Sequence, residues 1–104
     1  MEVKRMDVGK RIAEKMKEQG ISVELLNKLG LLYVRAGIYS SAIPVYERAA
    51  AMGSVAAMNN LGNIAVLQNR YVDAKDWYER ALAIEPSNAT ALKGLNRVLG
   101  KLED

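Results

Sequence analysis

The chain has 104 residues, of which 50% are hydrophobic and 26% are charged, and its formal net charge is +3. These values predict a single domain over residues 1–104 with one hydrophobic core. Cysteine and histidine are absent, which excludes disulfides, zinc sites of the usual ligand type, thiol nucleophiles and the commonest general base. The positive charge is milder than that of a domain with a dense basic face, so no nucleic-acid partner is expected.

The sequence also lacks the signals of an enzyme, a membrane protein or an exported protein. No histidine is present to activate a serine, and no phosphate-cradling glycine loop occurs, so we expect no enzyme activity, cofactor or metal site. No apolar run approaches the roughly 20 residues that span a bilayer. Residues 1–7 are charged and lack the apolar centre of a signal peptide. The sequence as given therefore predicts a soluble, cytoplasmic chain without membrane insertion.

The first predicted element is a charged helix over residues 1–20. Val8, Ile12 and Met16 recur at steps of four, and Gly20 provides a stop. One interpretation is that this helix is the second half of an earlier repeat and covers the following helix pair as an N-terminal lid. The alternative is a mobile charged tail.

An internal repeat follows this segment. Residues 27–30 recur as residues 59–62, and residues 46–49 recur as residues 78–81, so both pairs of segments have the same offset. Many identities at one fixed offset are the sequence signature of a repeat architecture. The chain is therefore predicted to contain two copies of one structural unit.

Each copy is predicted to be a pair of helices, with repeat 1 over residues 23–54 and repeat 2 over residues 55–88. Apolar and small residues recur at spacings of three and four within each half of each copy. Gly37 separates the two helices of repeat 1, and Gly53 lies at the end of that repeat.

Two glycines inside the helical patterns predict close contacts within each pair. Gly30 and Gly62 each cost about 1 kcal/mol relative to alanine in a helix. This cost is understandable if a bulky side chain approaches the backbone there, and Tyr46 and Tyr78 are the candidates. Small residues on the second helices would keep the paired helices close: Ala42, Ala49, Ala74 and Ala81.

The last predicted element is a capping helix over residues 89–102. Asn88 is a plausible helix start after a turn that contains Pro86. This helix matches the opening of a third copy, with Leu92 and Leu95 on the packing face. Its complete apolar stripe is Ala91, Leu92, Leu95, Val98 and Leu99.

At these residues the chain resembles the tetratricopeptide repeat family. The second copy carries the family's signature spacing at Leu61, Gly62, Ala74, Tyr78, Ala81 and Pro86. Ala65 stands where the family usually has an aromatic residue, whereas Tyr33 supplies that aromatic in the first copy. The short junction over residues 49–62 resembles that of the related Sel-type (Sel1-like) repeats. The resemblance implies an all-α fold, a right-handed superhelix of two helix pairs with an N-terminal helix and a C-terminal capping helix.

A solenoid of helix pairs has a concave side that is lined by the first helix of each pair and often binds partners. Asparagine can bond the backbone of an extended peptide, and lysine and arginine can bond a carboxylate. We therefore expect a protein-interaction scaffold or adaptor that binds a short acidic or C-terminal peptide segment in this groove. The predicted groove residues are Asn27, Leu31, Arg35, Asn59, Asn60, Asn63, Val66, Lys93 and Arg97.

Other interpretations stay open at this stage. The groove residues could be an ordinary polar surface, and the solenoid ends could instead mediate self-assembly into a homo-oligomer. In members of the family that clamp chaperone tails, other residue types occupy the positions that correspond to Leu31, Thr90 and Gly94 of this chain. This difference argues against a chaperone clamp. A second surface is predicted on the convex side and includes Asp76, Trp77, Glu79 and Arg80, although a tryptophan there more often packs than binds.

Overall fold

The computed structural model describes residues 20–103, and this part of the chain consists of helices joined by short turns, without a β-strand. The helices are α1 (Val23–Arg35), α2 (Tyr39–Ala51), α3 (Val55–Leu67), α4 (Tyr71–Ile84) and α5 (Ala89–Glu103). The predicted all-α class is therefore confirmed. The helix predicted over residues 1–20 lies outside the described residues except for Gly20, and the handedness of the superhelix stays a prediction.

Side-chain caps begin α1, α3 and α5, the helices that come first in each copy. The hydroxyl oxygen of Ser22 accepts the backbone N–H of Leu25 at the start of α1, and Ser54 does the same for Ala57 at the start of α3, both at 3.1 Å. Asn88 caps α5 through its side-chain oxygen. An N-cap of this kind satisfies one of the backbone donors that a helix leaves unpaired at its start. These caps fix where the three helices begin.

Tight turns, rather than side-chain caps, precede the second helices α2 and α4. Gly37 has a φ of 75° in the turn before α2, and Asn69 has a φ of 59° at the equivalent place before α4. Asparagine is one of the few residues with a side chain that adopts this left-handed conformation readily. The two turns therefore share a residue with left-handed backbone conformation at the same position. Only the turn before α2 has a glycine there, and that glycine indicated the turn in the sequence.

The predicted contacts between glycines and tyrosines are present. Tyr46 of α2 and Tyr78 of α4 are 1% and 0% exposed. A Cβ atom placed on Gly30 would lie 2.6 Å from the Cζ of Tyr46, and one placed on Gly62 would lie 2.6 Å from the Cε1 of Tyr78. Gly30 and Gly62 thus each receive the ring from the second helix of their own pair.

The alanines predicted to keep the helices close are completely buried. Ala42, Ala49, Ala74 and Ala81 have no exposed surface, and each lies on the second helix of its pair. Because alanine adds only one methyl group, the backbones of the paired helices can approach closely around the tyrosine rings. The core of the described residues therefore combines two large aromatic rings, those of Tyr46 and Tyr78, with small alanines and a few larger aliphatic side chains.

The capping helix α5 packs through part of the predicted stripe, with Gly94 in addition. Its buried residues are Ala91, Gly94 and Val98, whereas Leu92 is 43% exposed. The prediction that Leu92 lies on the packing face is wrong, although Leu95 does pack partly against the core. The reason is steric, because α5 approaches the buried Tyr78 with a glycine and cannot do so with a leucine.

An apolar stripe on α1 is exposed in the described residues. Leu25, Leu29 and Leu32 are 56%, 40% and 61% exposed. Their counterparts one repeat later on α3 are buried, because α2 precedes α3 in the stack: Ala57, Leu61 and Ile64. The exposed leucines thus mark the place where a preceding helix would pack.

None of the helices in residues 20–103 has the length and hydropathy needed to cross a membrane.

Candidate peptide groove

The predicted groove residues are distributed over all three first helices, and their exposure differs widely. Leu31, Arg35, Asn63, Lys93 and Arg97 are exposed. Asn27, Asn60 and Val66 are half-buried, and Asn59 is 7% exposed. An exposed set is thus available for a partner on α1, α3 and α5, but the asparagines are not equivalent to one another.

Asn59 is buried and its amide bonds to the next first helix, so its assignment to the groove stays a prediction. Its side-chain N–H donates to the Oδ1 of Asn88 at 3.0 Å. The same Oδ1 atom accepts the backbone N–H of Ala91 at 2.9 Å and so caps α5. Because Asn88 presents an acceptor at this point, only the donor end of the Asn59 amide can face it. Asn59 therefore holds the beginning of the next first helix in place.

Asn27 makes the same contact one repeat earlier. Its side-chain N–H donates to the hydroxyl oxygen of Ser54 at 3.1 Å, and Ser54 is the N-cap of α3. The Oδ1 atoms of Asn27 and Asn59 are both buried and have no hydrogen-bond partner within residues 20–103. A peptide in the groove could not reach these oxygens. The two asparagines thus connect consecutive repeats, and neither is a free amide on the groove surface.

Asn63 differs from these two asparagines, because its side chain is exposed and its amide is bonded to a buried tyrosine. The hydroxyl of Tyr78 donates a short hydrogen bond to the Oδ1 of Asn63. With its oxygen used in this way, the Asn63 side chain keeps its N–H groups for other partners. Its place in a peptide groove stays a prediction.

Arg97 of α5 lies close enough to Tyr78 for its charge to act on the phenol. Burial raises the pKa of Tyr78, and the nearby positive charge of Arg97 lowers it in part. Burial also raises the pKa of Tyr46 in the first pair. The hydroxyl of Tyr78 is therefore protonated near neutral pH and remains a donor to Asn63. Asn63 and Arg97 are thus two exposed residues that both act on the buried hydroxyl of Tyr78, one through a hydrogen bond and one through its charge.

Some of the residues that shape this region were not predicted from the sequence. The hydroxyl of Tyr78 was expected only as part of a packing ring, and Ser54 and Asn88 were not linked to the groove asparagines. The capping preference of serine and asparagine at helix starts was the available signal. The sequence did not show that amides on the preceding first helix reach these caps.

Trp77 of α4 packs partly against the core, as its predicted packing role requires. The guanidinium carbon of Arg80 lies 4.3 Å from the centroid of the indole ring. This distance is within the range of a cation–π contact. The second predicted surface therefore includes an ordered aromatic ring with a cation stacked on it.

Stacked helix pairs with small residues around buried tyrosines define a helical repeat protein. The sequence profile described as "Tetratricopeptide repeat" matches residues 27–89. The chain belongs to the tetratricopeptide repeat family, whose repeats generally mediate protein–protein interactions and typically form non-enzymatic scaffolds. A comparison with curated proteins gave no match. The Sel-type character of the junction between the repeats stays a prediction.

Proposed function

We propose that the chain is an interaction scaffold that binds a short acidic segment, or a free C-terminus, of a partner protein across α3 and α5. The observation that carries this proposal is the amide of Asn63, which is held with its oxygen on Tyr78 and its donors free. A surface that presents donors and positive charge favours a ligand rich in acceptors. Carboxylates and peptide carbonyl groups have this property.

The residues around Asn63 extend the site in two directions. Lys93 and Arg97 add positive charge from α5, and both are exposed. Leu31 of α1 is exposed and Val66 of α3 is half-buried, so apolar side chains of the peptide have contacts beside the polar ones. Since Asn27 and Asn59 are engaged between repeats, the proposed contacts centre on Asn63 and Arg97.

The proposal is tested by titrating the acidic peptide acetyl-Ala-Glu-Leu-Glu-Ala, with a free C-terminus, against the protein and its Asn63→Ala/Arg97→Ala variant. Hydrogen bonds to charged groups contribute roughly 1.5–3 kcal/mol each, so we expect the variant to bind at least about tenfold more weakly. Calorimetry or amide chemical shifts measure the affinity. The amidated peptide and a version with lysine in place of glutamate separate the contribution of the terminal carboxylate from that of the side chains.

A matched control is Arg48→Ala, which removes the same charge from an exposed position on α2. This variant should bind like the wild type. Equal affinity of the wild type and the double variant would remove the groove assignment. An equal loss in Arg48→Ala would show that net charge, and not the cluster around Asn63, attracts the peptide.

Self-assembly is the second candidate function, and the exposed leucines of α5 favour it. Leu92, Leu99 and Leu102 are 43%, 37% and 42% exposed on one stripe of that helix. Val98, by contrast, is completely buried and cannot be the contact between copies. If this stripe joins copies, light scattering should show an oligomer that grows with concentration and that Leu99→Lys/Leu102→Lys returns to a monomer. A strict monomer at every concentration would contradict this candidate.

A further inference from the structure

A cleft with a volume of about 280 Å³ lies between the second helices α2 and α4. Its floor is formed by α3 and includes Leu61 and Ala65. Asn63 lies midway between them in the chain, and a helix turns by about 100° per residue, so Asn63 projects from the opposite side of α3. The cleft is therefore separate from the proposed groove and has its own opening.

The cleft exists where repeat 2 lacks an aromatic side chain. Ala65 lies on the floor and is 5% exposed, and it corresponds to Tyr33 one repeat earlier. Tyr33 is partly buried and packs against the core. An alanine has a smaller side chain than the tyrosine of repeat 1, and close-packed interiors do not always refill such a difference in volume.

The walls and floor of the cleft suit an aromatic guest. Trp77 from α4 and Ile43 from α2 line the cleft beside Leu61, Ile64 and Ala65. Arg80 is stacked over the indole of Trp77 at 4.3 Å. Aromatic rings pair favourably in stacked or edge-to-face arrangements. An incoming ring would thus contact Trp77 on one side and aliphatic side chains beneath it.

The charged residues that line the cleft, three acidic and two basic, leave one net negative charge. Arg70 forms an ion pair with Asp73, whereas Arg80 lies over the ring of Trp77 and keeps its positive charge. Glu47 and Asp76 also line the cleft, and within residues 20–103 neither forms an ion pair. The rim therefore complements positive charge placed next to the guest side chain.

We propose that the cleft between α2 and α4 is a second binding site, which takes one aromatic side chain of a partner segment flanked by lysine or arginine. The size supports a single side chain, since pockets for drug-sized ligands and cofactors occupy roughly 300–1,000 Å³. Glu47 and Asp76 bind the flanking cations, and the ring occupies the space that Ala65 leaves open. A partner with an acidic segment and a basic aromatic segment could bind both sites of one molecule.

The test uses the only tryptophan of the chain, Trp77, as a fluorescent reporter in the wall of the cleft. The probe is the peptide acetyl-Lys-Phe-Lys-amide, whose phenylalanine does not overlap the tryptophan signal. Acetyl-Lys-Ala-Lys-amide lacks the ring, and acetyl-Glu-Phe-Glu-amide reverses the charge. We expect a saturable change of Trp77 emission with the first peptide only, and the absence of saturation with that peptide would overturn the proposal.

Two variants test the cleft from inside and from its rim. Ala65→Tyr fills the cleft with the residue type that repeat 1 carries, and we expect it to abolish the response. Glu47→Gln/Asp76→Gln leaves the apolar floor intact, so it tests the rim even if the first variant does not fold. Exposed ion pairs contribute about 0.2–1 kcal/mol each, which corresponds to an expected weakening of roughly two- to thirtyfold for the two together.

The controls separate the cleft from the groove and from net charge. Glu24→Gln/Glu79→Gln removes the same two charges from exposed positions that do not line the cleft, and it should bind the probe normally. The groove variant Asn63→Ala/Arg97→Ala should also bind it normally. Unchanged binding by Ala65→Tyr, or an equal loss in the charge control, would show that the probe does not occupy the cleft.

Discussion

Replacing Tyr78 by alanine is expected to lower the free energy of unfolding by about 3–5 kcal/mol, the usual cost of deleting a buried aromatic ring. Tyr78 is 0% exposed, and its ring contacts the backbone regions of Gly62 on α3 and Gly94 on α5. It therefore joins the second helix pair to the capping helix. A domain of this size has a total stability of about 5–15 kcal/mol, so the variant should be close to unfolding at physiological temperature.

Urea denaturation followed by circular dichroism measures this loss, and two further variants identify its cause. Tyr78→Phe keeps the ring and removes only the hydrogen bond to Asn63, which should cost about 0.5–1.5 kcal/mol. Tyr39→Ala removes a tyrosine that is only half-buried at the start of α2, and it should cost less than Tyr78→Ala. A loss for Tyr78→Ala no larger than that for Tyr78→Phe would contradict its role as the joint between the two units.

The internal repeat allowed much of this core to be predicted from the sequence. The identical offset of Gly30 with Gly62 and of Tyr46 with Tyr78 predicted which rings meet which backbones, because a contact in one copy implies the same contact in the other. The left-handed turn at Asn69 escaped this reasoning, although Asn69 is the counterpart of Gly37 at the same offset. Asparagine and glycine both adopt the left-handed conformation that this turn needs. A search for identical residues at the repeat offset therefore did not find the second turn.

The contact of Gly94 with Tyr78 shows the limit of an argument from a constant offset. Gly94 follows Gly62 at the same offset at which Gly62 follows Gly30, yet within residues 20–103 the ring that it meets belongs to the preceding pair. Its helix begins at Ala89, later than the offset between the starts of α1 and α3 predicts. The turn before α5 is longer, so Gly94 lies at the same distance from the start of α5 as Asn60 does from the start of α3. At this position Gly94 meets Tyr78 of the preceding helix α4.

The groove was less predictable than the core, for a physical reason. Asn27 and Asn59 are counterparts at the repeat offset, and Asn63 lies about one turn further along α3, but the residue types alone do not show which other elements each amide reaches. Asn27 and Asn59 reach the caps of the next first helices, whereas Asn63 accepts a bond from Tyr78. Such distances depend on how consecutive repeats stack, which the pattern of residue types within one helix does not specify.

Gly94→Ala is expected to destabilise the protein, whereas the same substitution at Gly100 in the same helix should stabilise it. A Cβ atom on Gly94 would lie 2.6 Å from the Cε1 of Tyr78, but one on Gly100 would meet no atom within 4 Å. Alanine gains up to about 1 kcal/mol over glycine in a helix, and overpacking a core costs about 1–3 kcal/mol. At Gly94 the overpacking prevails, because the fully buried Tyr78 has no free space into which to move.

The opposite signs of the two changes make the comparison decisive. For a domain of this size, about 1 kcal/mol shifts the melting temperature by roughly 4–8 °C, so the two variants should melt on either side of the wild type. Thermal unfolding followed by circular dichroism gives both values under identical conditions. If Gly94→Ala stabilised the protein as much as Gly100→Ala, helix propensity alone would explain the data. The ring of Tyr78 would then not require a glycine in α5. The explanation that close contact between Gly94 and Tyr78 sets the position of α5 would be wrong.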